Sequence, residues 1–269
     1  MQGLGLMRRL LFAVLCIIVL VGCGWQEQPW IKGRPLSYWL KVLGHQKIQG
    51  PKRKKAESAI LELGTNAIPY LLKQVRLGEE IDGFTQQGTR IAFWLLGPVA
   101  SNAVGSLSQI ALSSNGIVAR DALYILSGLG DFGVKELTNL LWKVDGRKRD
   151  WILDFLDSAS FSHSTNGNAK AMISEACLRF LSLVEDDFSQ AFFAGSAAAR
   201  SCIDASGMVE TLRMVLKTGA PAGRYGAAIA LESLGRDGLR AVPELEMLLN
   251  EEDWRLRNAA SNALKKIMH

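Results

Sequence analysis

Apolar residues recur along this chain at helical spacing, most clearly in its last quarter. From Gly223 onward, Ala227, Ala230, Leu231 and Leu234 fall at i, i+3, i+4 and i+7, one face of a helix. Gly235 follows, where a helix end calls for a left-handed residue. Val242, Leu245, Leu248 and Leu249 predict a second helix, with Pro243 near its start, where a missing N–H costs least. Asp253 predicts the cap of a third helix, whose face is Leu256, Ala260, Ala263, Leu264 and Ile267. The small alanines let such helices approach closely. A hairpin of this kind has apolar residues to bury and no partner of its own, so the partner must lie upstream.

The same pattern does recur upstream. Ala56, Ala59, Ile60, Leu63 and Gly64 form one copy, and Ala122, Ile125, Leu126, Leu129 and Gly130 another. Thr89, Ala92, Phe93, Leu96 and Gly97 form a looser one between them. The glycines at 64, 97 and 130 are spaced by 33 residues, and Gly235 lies about three further units on. Repeats of that period predict a helical solenoid. A second apolar set succeeds each glycine: Ile68 with Leu71, Val104 with Leu107, Val134 with Leu137 and Val242 with Leu245. In two copies the set begins three residues late, about one helical turn, which keeps the same face.

The segments LGTNAIPYLLKQV, LGPVASNAVGSLSQIAL and LGRDGLRAVPELEMLL resemble HEAT repeats, in particular the short bacterial kind related to phycobilin-lyase proteins. The resemblance runs from Leu36 to Ile267. It implies an all-α fold, an α-α superhelix of about six or seven helical hairpins, and most often a protein-binding scaffold without an activity of its own. Between residues 147 and 216 the pattern blurs into two divergent repeats. Trp151, Ile152, Phe155 and Leu156 give one helix face, and Ile173, Cys177, Phe180, Leu181 and Val184 another. The polar FSHSTNGN between them predicts a loop, and His163 within it marks a candidate contact site.

The N-terminus has a different character. Arg8 and Arg9 precede an apolar run from Leu10 to Val21, too short for a comfortable membrane span and typical of a signal peptide. Leu20-Val21-Gly22-Cys23 resembles the bacterial lipobox. The resemblance implies that residues 1–22 are removed and that Cys23 carries a diacylglyceryl group on sulfur and an acyl chain, such as palmitate, on its new amine. It thereby implies a lipid anchor in the cell envelope. Two or three acyl chains hold a protein stably where one does not. Gly24 in place of aspartate favours the outer membrane wherever there are two. The alternatives are an ordinary secretory signal or an uncleaved anchor. Residues 23–31 read as a tether and 32–269 as the solenoid, and nothing after residue 23 reads as long and apolar enough to cross a bilayer. Trp30 is expected to pack on the first helix as a cap, while GRPLSYWLKVL from Gly33 resembles a lead-in helix. The cluster Lys52, Arg53, Lys54 and Lys55 reads as a solvated helix start, or as a site for anionic lipid or an acidic partner.

Charge and cysteines narrow the picture. The chain is formally +5, and loss of Arg8 and Arg9 lowers this to +3. Such an excess in an exported protein fits a membrane surface or acidic partners, and no nucleic acid is expected. With Cys16 gone and Cys23 acylated, only Cys177 and Cys202 remain. An oxidising compartment allows them a disulfide, but both lie on apolar helical faces that suit buried thiols.

Signals for chemistry are weak. Gly128-Leu129-Gly130-Asp131-Phe132-Gly133 matches a dinucleotide fingerprint and contains a kinase-like triplet. The fingerprint needs a preceding strand, yet ARDALYILSGLG has helical spacing. His45, His163 and His269 have no second ligand at i+3 or i+4, so no metal site can be assembled. Glu79-Glu80, Asp186-Asp187 and Glu251-Glu252 read as solvated charges or caps. No catalytic residue, cofactor or small-molecule substrate is expected. The expected partner is another protein; a passive structural subunit and a lyase-like enzyme are the alternatives.

Overall fold

A computed structural model of the chain describes residues 28–160 and 166–269. Cys23, Trp25 and His163 lie outside them. The described residues begin with a short hairpin, β1 (Trp30–Ile31) and β2 (Arg34–Pro35), antiparallel with Trp30 opposite Pro35. Lys32 and Gly33 turn it, both at positive φ, the pairing that a two-residue hairpin loop demands. Residues 30 and 31 therefore belong to the fold and not to a free tether.

Helices make up the remainder. α1 (Leu36–Gly44) leads. Six pairs come next: α2 (Pro51–Leu63) with α3 (Ile68–Leu77), α4 (Gly83–Leu96) with α5 (Val104–Ser113), and α6 (Gly116–Ser127) with α7 (Gly130–Leu140). The array continues with α8 (Gly146–Ser160) and α9 (Gly167–Leu181), α10 (Phe188–Arg200) and α11 (Ala205–Thr218), and α12 (Pro221–Leu234) and α13 (Val242–Leu248). α14 (Trp254–Met268) ends the described chain. First helices stack in series, α6 on α8, α8 on α10, α10 on α12 and α12 on α14, while α7 lies against α9 in the second layer. The fold is the all-α solenoid that the spacing predicts.

The apolar faces read from the sequence form its core. Ala59, Ile60, Ala92, Phe93, Ala122, Ile125, Leu126, Ala227, Ala230 and Leu231 are buried, and so are the second-helix residues Ile68, Leu71, Leu107, Val134, Leu137 and Leu245. Leu249 is the exception: α13 stops at Leu248, and Leu249 turns partly to solvent.

The register glycines end their helices more sharply than a left-handed cap. Gly235 has φ 57° and ψ −128°, close to the mirror image of extended backbone, and Gly64 and Gly97 share that geometry. A side chain strongly disfavours this region, so these positions select glycine. The linkers after these glycines account for the three-residue offset. A 3-10 segment of four residues (Gly64–Ala67) begins at Gly64, whereas segments of seven (Gly97–Ala103 and Gly235–Ala241) begin at Gly97 and Gly235. The difference is one turn at three residues per turn, so the next helix keeps its face.

Merged across its 3-10 segment, Gly83–Ser113 has a mean hydropathy of 1.3 over its best window, enough by length and composition for a membrane helix. Gly97 breaks it into α4 and α5, whose apolar faces are spent on the core.

Glycines also set two close helix contacts. A Cβ on Gly88 of α4 would stand 1.9 Å from the carbonyl oxygen of Leu40 in α1, and one on Gly44 1.9 Å from that of Phe84. Between α10 and α12, a Cβ on Gly195 would meet the Gly226 carbonyl at 2.2 Å, and one on Gly226 the Ala191 carbonyl at 2.5 Å. Gly88→Ala should therefore lower stability by about 1–3 kcal/mol through overpacking. Gly105→Ala, in α5 with nothing within 4 Å of the added methyl, should instead raise stability by up to about 1 kcal/mol through helix propensity. Urea denaturation of the two variants checks the pair, and equal effects would contradict the α1–α4 contact.

Polar ties link neighbouring pairs. Glu244 in α13 is buried and accepts from Arg213 of α11 at 2.9 and 3.1 Å, with Lys217 at 3.0 Å. The Arg213 hydrogen bonds, with help from Lys217, hold its carboxyl at a pKa of about 2, against an ordinary 4.5. A depressed carboxylate pKa stabilises the fold above the unfolded value, and that contribution is lost as pH falls from 4.5 towards 2. Glu244→Gln should thus cost about 1.5–3 kcal/mol at neutral pH, the range for a hydrogen bond to a charged group. The gap from the unaltered protein should close on acidification through that window, as measured by urea midpoints against pH.

Candidate binding surface

The GLGDFG motif is a packing device. α6 precedes it, so the strand that a dinucleotide fingerprint needs is not there. Each glycine has its own steric reason. A Cβ on Gly128 would lie 2.1 Å from the Trp94 indole, Gly130 has φ 64°, and a Cβ on Gly133 would meet the Leu126 carbonyl at 1.9 Å. Asp131 accepts from the Asn166 amide at 2.7 Å, and Asn166 in turn caps α9 through the Ala169 N–H at 3.0 Å. The C-terminal flank of the insertion around His163 is thereby fastened to the start of α7.

Gly128, with the Trp94 indole set against it, borders a hollow of about 550 Å³ across α4, α6 and α8. Trp94, Leu95, Pro98, Tyr124, Ser127 and Ser158 line it. Its rings, Trp94 and Tyr124, come from successive first helices and lie 4.7 Å apart, centroid to centroid; behind them Phe155, buried in α8, lies 5.3 Å from Tyr124. Both contacts are tilted, the kind of arrangement that ring quadrupoles favour. Trp94 remains 39% exposed.

Charged groups lie beside Tyr124. The Arg90 guanidinium sits 5.8 Å from the Tyr124 ring centre and donates to the buried carboxylate of Asp121, which also accepts from the Gln86 amide at 2.8 Å. Burial raises the Tyr124 phenol above its usual pKa, while Arg90 and Arg120 pull it down. A phenol of this kind stays protonated at neutral pH and can donate a hydrogen bond. The hollow thus offers two rings, an apolar floor and a phenol, with a paired guanidinium against the tyrosine ring.

The other sequence-derived candidates scatter. Cys177 and Cys202 are free thiols, so the disulfide allowed by the sequence is not made. Cys177 is fully buried within α9, where burial and then Asp157 push its pKa up to about 12. Cys202 lies just past the end of α10, half-buried, raised by burial and by Asp204 and Asp237. His45 stacks on Phe84 at 4.6 Å, and His269 ends the chain in solvent. Among the described residues no three of His, Cys, Asp and Glu converge as metal ligands. Asp187 caps α10 through the Gln190 N–H at 2.9 Å, and Glu251 pairs with Arg224. Trp30 does not cap the first helix. It is 69% exposed, and the buried indole is that of Trp39, which donates to the Ile31 carbonyl at 2.9 Å. Periodicity could not separate these two tryptophans, because the hairpin that turns Trp30 outward leaves no helical signature.

No family model and no curated protein matches the chain. Among solved structures it is similar to an engineered protein at 18% identity, covering 87% of this chain and 96% of that one, with a TM-score of 0.42. It is also similar to a designed armadillo repeat protein in complex with the peptide (KR)4, at 15% identity, 86% and 99% coverage and a TM-score of 0.39. A second engineered protein gives 18% identity, 87% and 98% coverage and a TM-score of 0.26. The fold class itself is read from this chain's own helices.

Gly128→Ala tests the geometry of the hollow. The added methyl must displace the Trp94 ring, so tryptophan fluorescence and the near-ultraviolet dichroism of the folded protein should change. Stability should fall by about 1–3 kcal/mol. An unchanged spectrum would mean that Trp94 does not lie over Gly128.

Proposed function

We propose that this chain is a lipid-anchored, non-catalytic scaffold of the bacterial cell envelope, built from HEAT-like repeats, that holds a partner protein in the hollow over α4, α6 and α8. The observation that carries the binding role is the run of rings Trp94, Tyr124 and Phe155, contributed one by one from stacked repeats with Trp94 still open to solvent. Tryptophan, tyrosine and arginine are the side chains that dominate binding energy at protein interfaces, and here a tryptophan and a tyrosine line one concavity with Arg90 against the tyrosine ring. The anchor is supported by the charged start, the apolar run and the lipobox-like Leu20-Val21-Gly22-Cys23. Envelope residence, with the outer membrane favoured where there are two, is inferred from that same segment.

Affinity capture of the native protein from crosslinked envelopes tests both parts. The Trp94→Ala protein should recover its partner about tenfold or more less well, the loss typical of an interfacial tryptophan. Trp254→Ala, at an exposed indole far along the array, should capture as the unaltered protein does. Cys23→Ala should move the protein out of the membrane fraction. Equal recovery by the two tryptophan variants would remove the hollow from the proposal, and a membrane-bound Cys23→Ala protein would remove the acyl anchor.

A further inference from the structure

A second hollow, of about 400 Å³, lies at the N-terminal end between the β1–β2 hairpin, α1 and the start of α2. Lys32, Arg34, Tyr38, Trp39, Lys52 and Lys55 line it. Tyr38 and Trp39 meet edge to face at 5.0 Å and form its floor. The cations lie over these rings: Arg34 is 5.2 Å and Lys52 5.9 Å from the centre of Tyr38, and Lys55 is 5.9 Å from that of Trp39. Ring quadrupoles attract each cation without neutralising it. Lys32 is balanced by Glu62 at 3.3 Å and donates to Ser58 at 2.6 Å. Among the described residues, Arg34, Lys52 and Lys55 have no carboxylate within ion-pair distance.

The helix beneath adds to the imbalance. α2 begins Pro-Lys-Arg-Lys-Lys, with no acidic residue in its first turn and no side-chain cap at Gly50. The positive end of a helix dipole favours anions, yet four cations stand there, and only Arg53 is offset, by Glu57 at 3.1 Å. The wider sequence repeats the asymmetry. Residues 28–56 hold eight Lys or Arg and no Asp or Glu, whereas residues 57–269 hold 21 against 25, a net of −4. Three uncompensated cations over aromatic rings, beside an unsatisfied helix start, match what a phosphate-like anion requires of its site.

Position identifies the source. The apolar run ends at Val21, and the described fold begins at Gln28, whose side chain accepts from the Ser37 N–H at 3.2 Å, next to Tyr38. The five residues from Cys23 to Gln28 reach at most about 17 Å. Trp30, exposed on β1, presents an indole of the kind that favours the headgroup zone. We propose that this pocket binds the phosphate of an anionic phospholipid headgroup and so fixes the N-terminal end of the solenoid against the bilayer. The inference rests on the lipid-anchored function proposed for the chain.

The full-length protein, processed by the cell and reconstituted in vesicles, tests it through acetylation rates of individual lysines read by mass spectrometry. In vesicles of phosphatidylcholine with phosphatidylglycerol, Lys52 and Lys55 should react several-fold more slowly than in phosphatidylcholine alone. Lys265 and Lys266, at the far end, should not change. Arg34→Gln should abolish most of the protection at Lys52. Free glycerol phosphate added to phosphatidylcholine vesicles should give no protection. If it protects as well as the anionic bilayer does, the pocket takes a soluble phosphate and the headgroup assignment is overturned. An acylated protein that floats with both vesicles but shows equal Lys52 and Lys55 rates overturns the headgroup site alone. A protein with no acyl group on Cys23 that floats with neither vesicle overturns the anchor as well.

Discussion

A two-helix unit of this chain has no inside. Its apolar face is buried only when the next unit covers it, so stability is a chain of neighbour contacts and not the property of one core. Between α10 and α12 that contact is tight enough to exclude side chains: Gly195 and Gly226 bring the two backbones together where any Cβ would strike a carbonyl oxygen. Around them Ala191, Ala194, Ala198, Ala227 and Ala230 are buried. These small residues release little apolar area each, and the compensation is close packing over the whole helix length. At the other end, Gly44 and Gly88 do the same for α1 and α4.

The same constraint decides where function can sit. A repeat that spends one face on each neighbour has only its outer edges free, and residues at equivalent positions of successive helices then fall in a row. Trp94, Tyr124 and Phe155 form a run of ring contacts across three repeats, of which Trp94 and Tyr124 open onto the hollow and Phe155 is buried behind them. The buried ties are arranged by the same rule: Arg90 to Asp121, Gln190 to Asp150 at 2.7 Å, Ser108 to Glu136 at 2.6 Å and Arg213 to Glu244 each join one pair to the next. They fix the angle between repeats with directional bonds that apolar packing lacks, and that angle sets the shape of the row.

Much of this was legible in the chain alone, because helical spacing and the register glycines are local signals. Leu231 and Ile60 declare their burial through their neighbours at three and four residues, and Gly64, Gly97 and Gly235 mark breaks that only glycine accepts. Other features depend on what lies across a contact. Asp121 and Glu244 look like any solvated acid on a helix until the facing Arg90 and Arg213 are in place. Gly128 reads as part of a phosphate loop because its true partner, the Trp94 indole, is 34 residues away. Trp30 and Trp39 are equally apolar letters, and a short hairpin with one lysine at positive φ separates the exposed one from the buried one.

The basic segment shows how far local reading goes. Lys52 to Lys55 stand at the one end of a helix where the dipole repels them, so intrinsic preference argues against that placement. Other helix starts divide: Asp82, Asp187, Asp204 and Asp253 each cap one with a carboxylate, while α8 begins Gly-Arg-Lys-Arg, basic like α2. The basic start of α2 is therefore shared with α8, and what sets it apart is the pair of rings that lies against its cations. Sites that work against local preference are where a ligand most often completes the energetics. The rings of Tyr38 and Trp39 keep Arg34, Lys52 and Lys55 gathered when no ligand is present, and a bound anion would relieve both their mutual repulsion and the unmatched helix start.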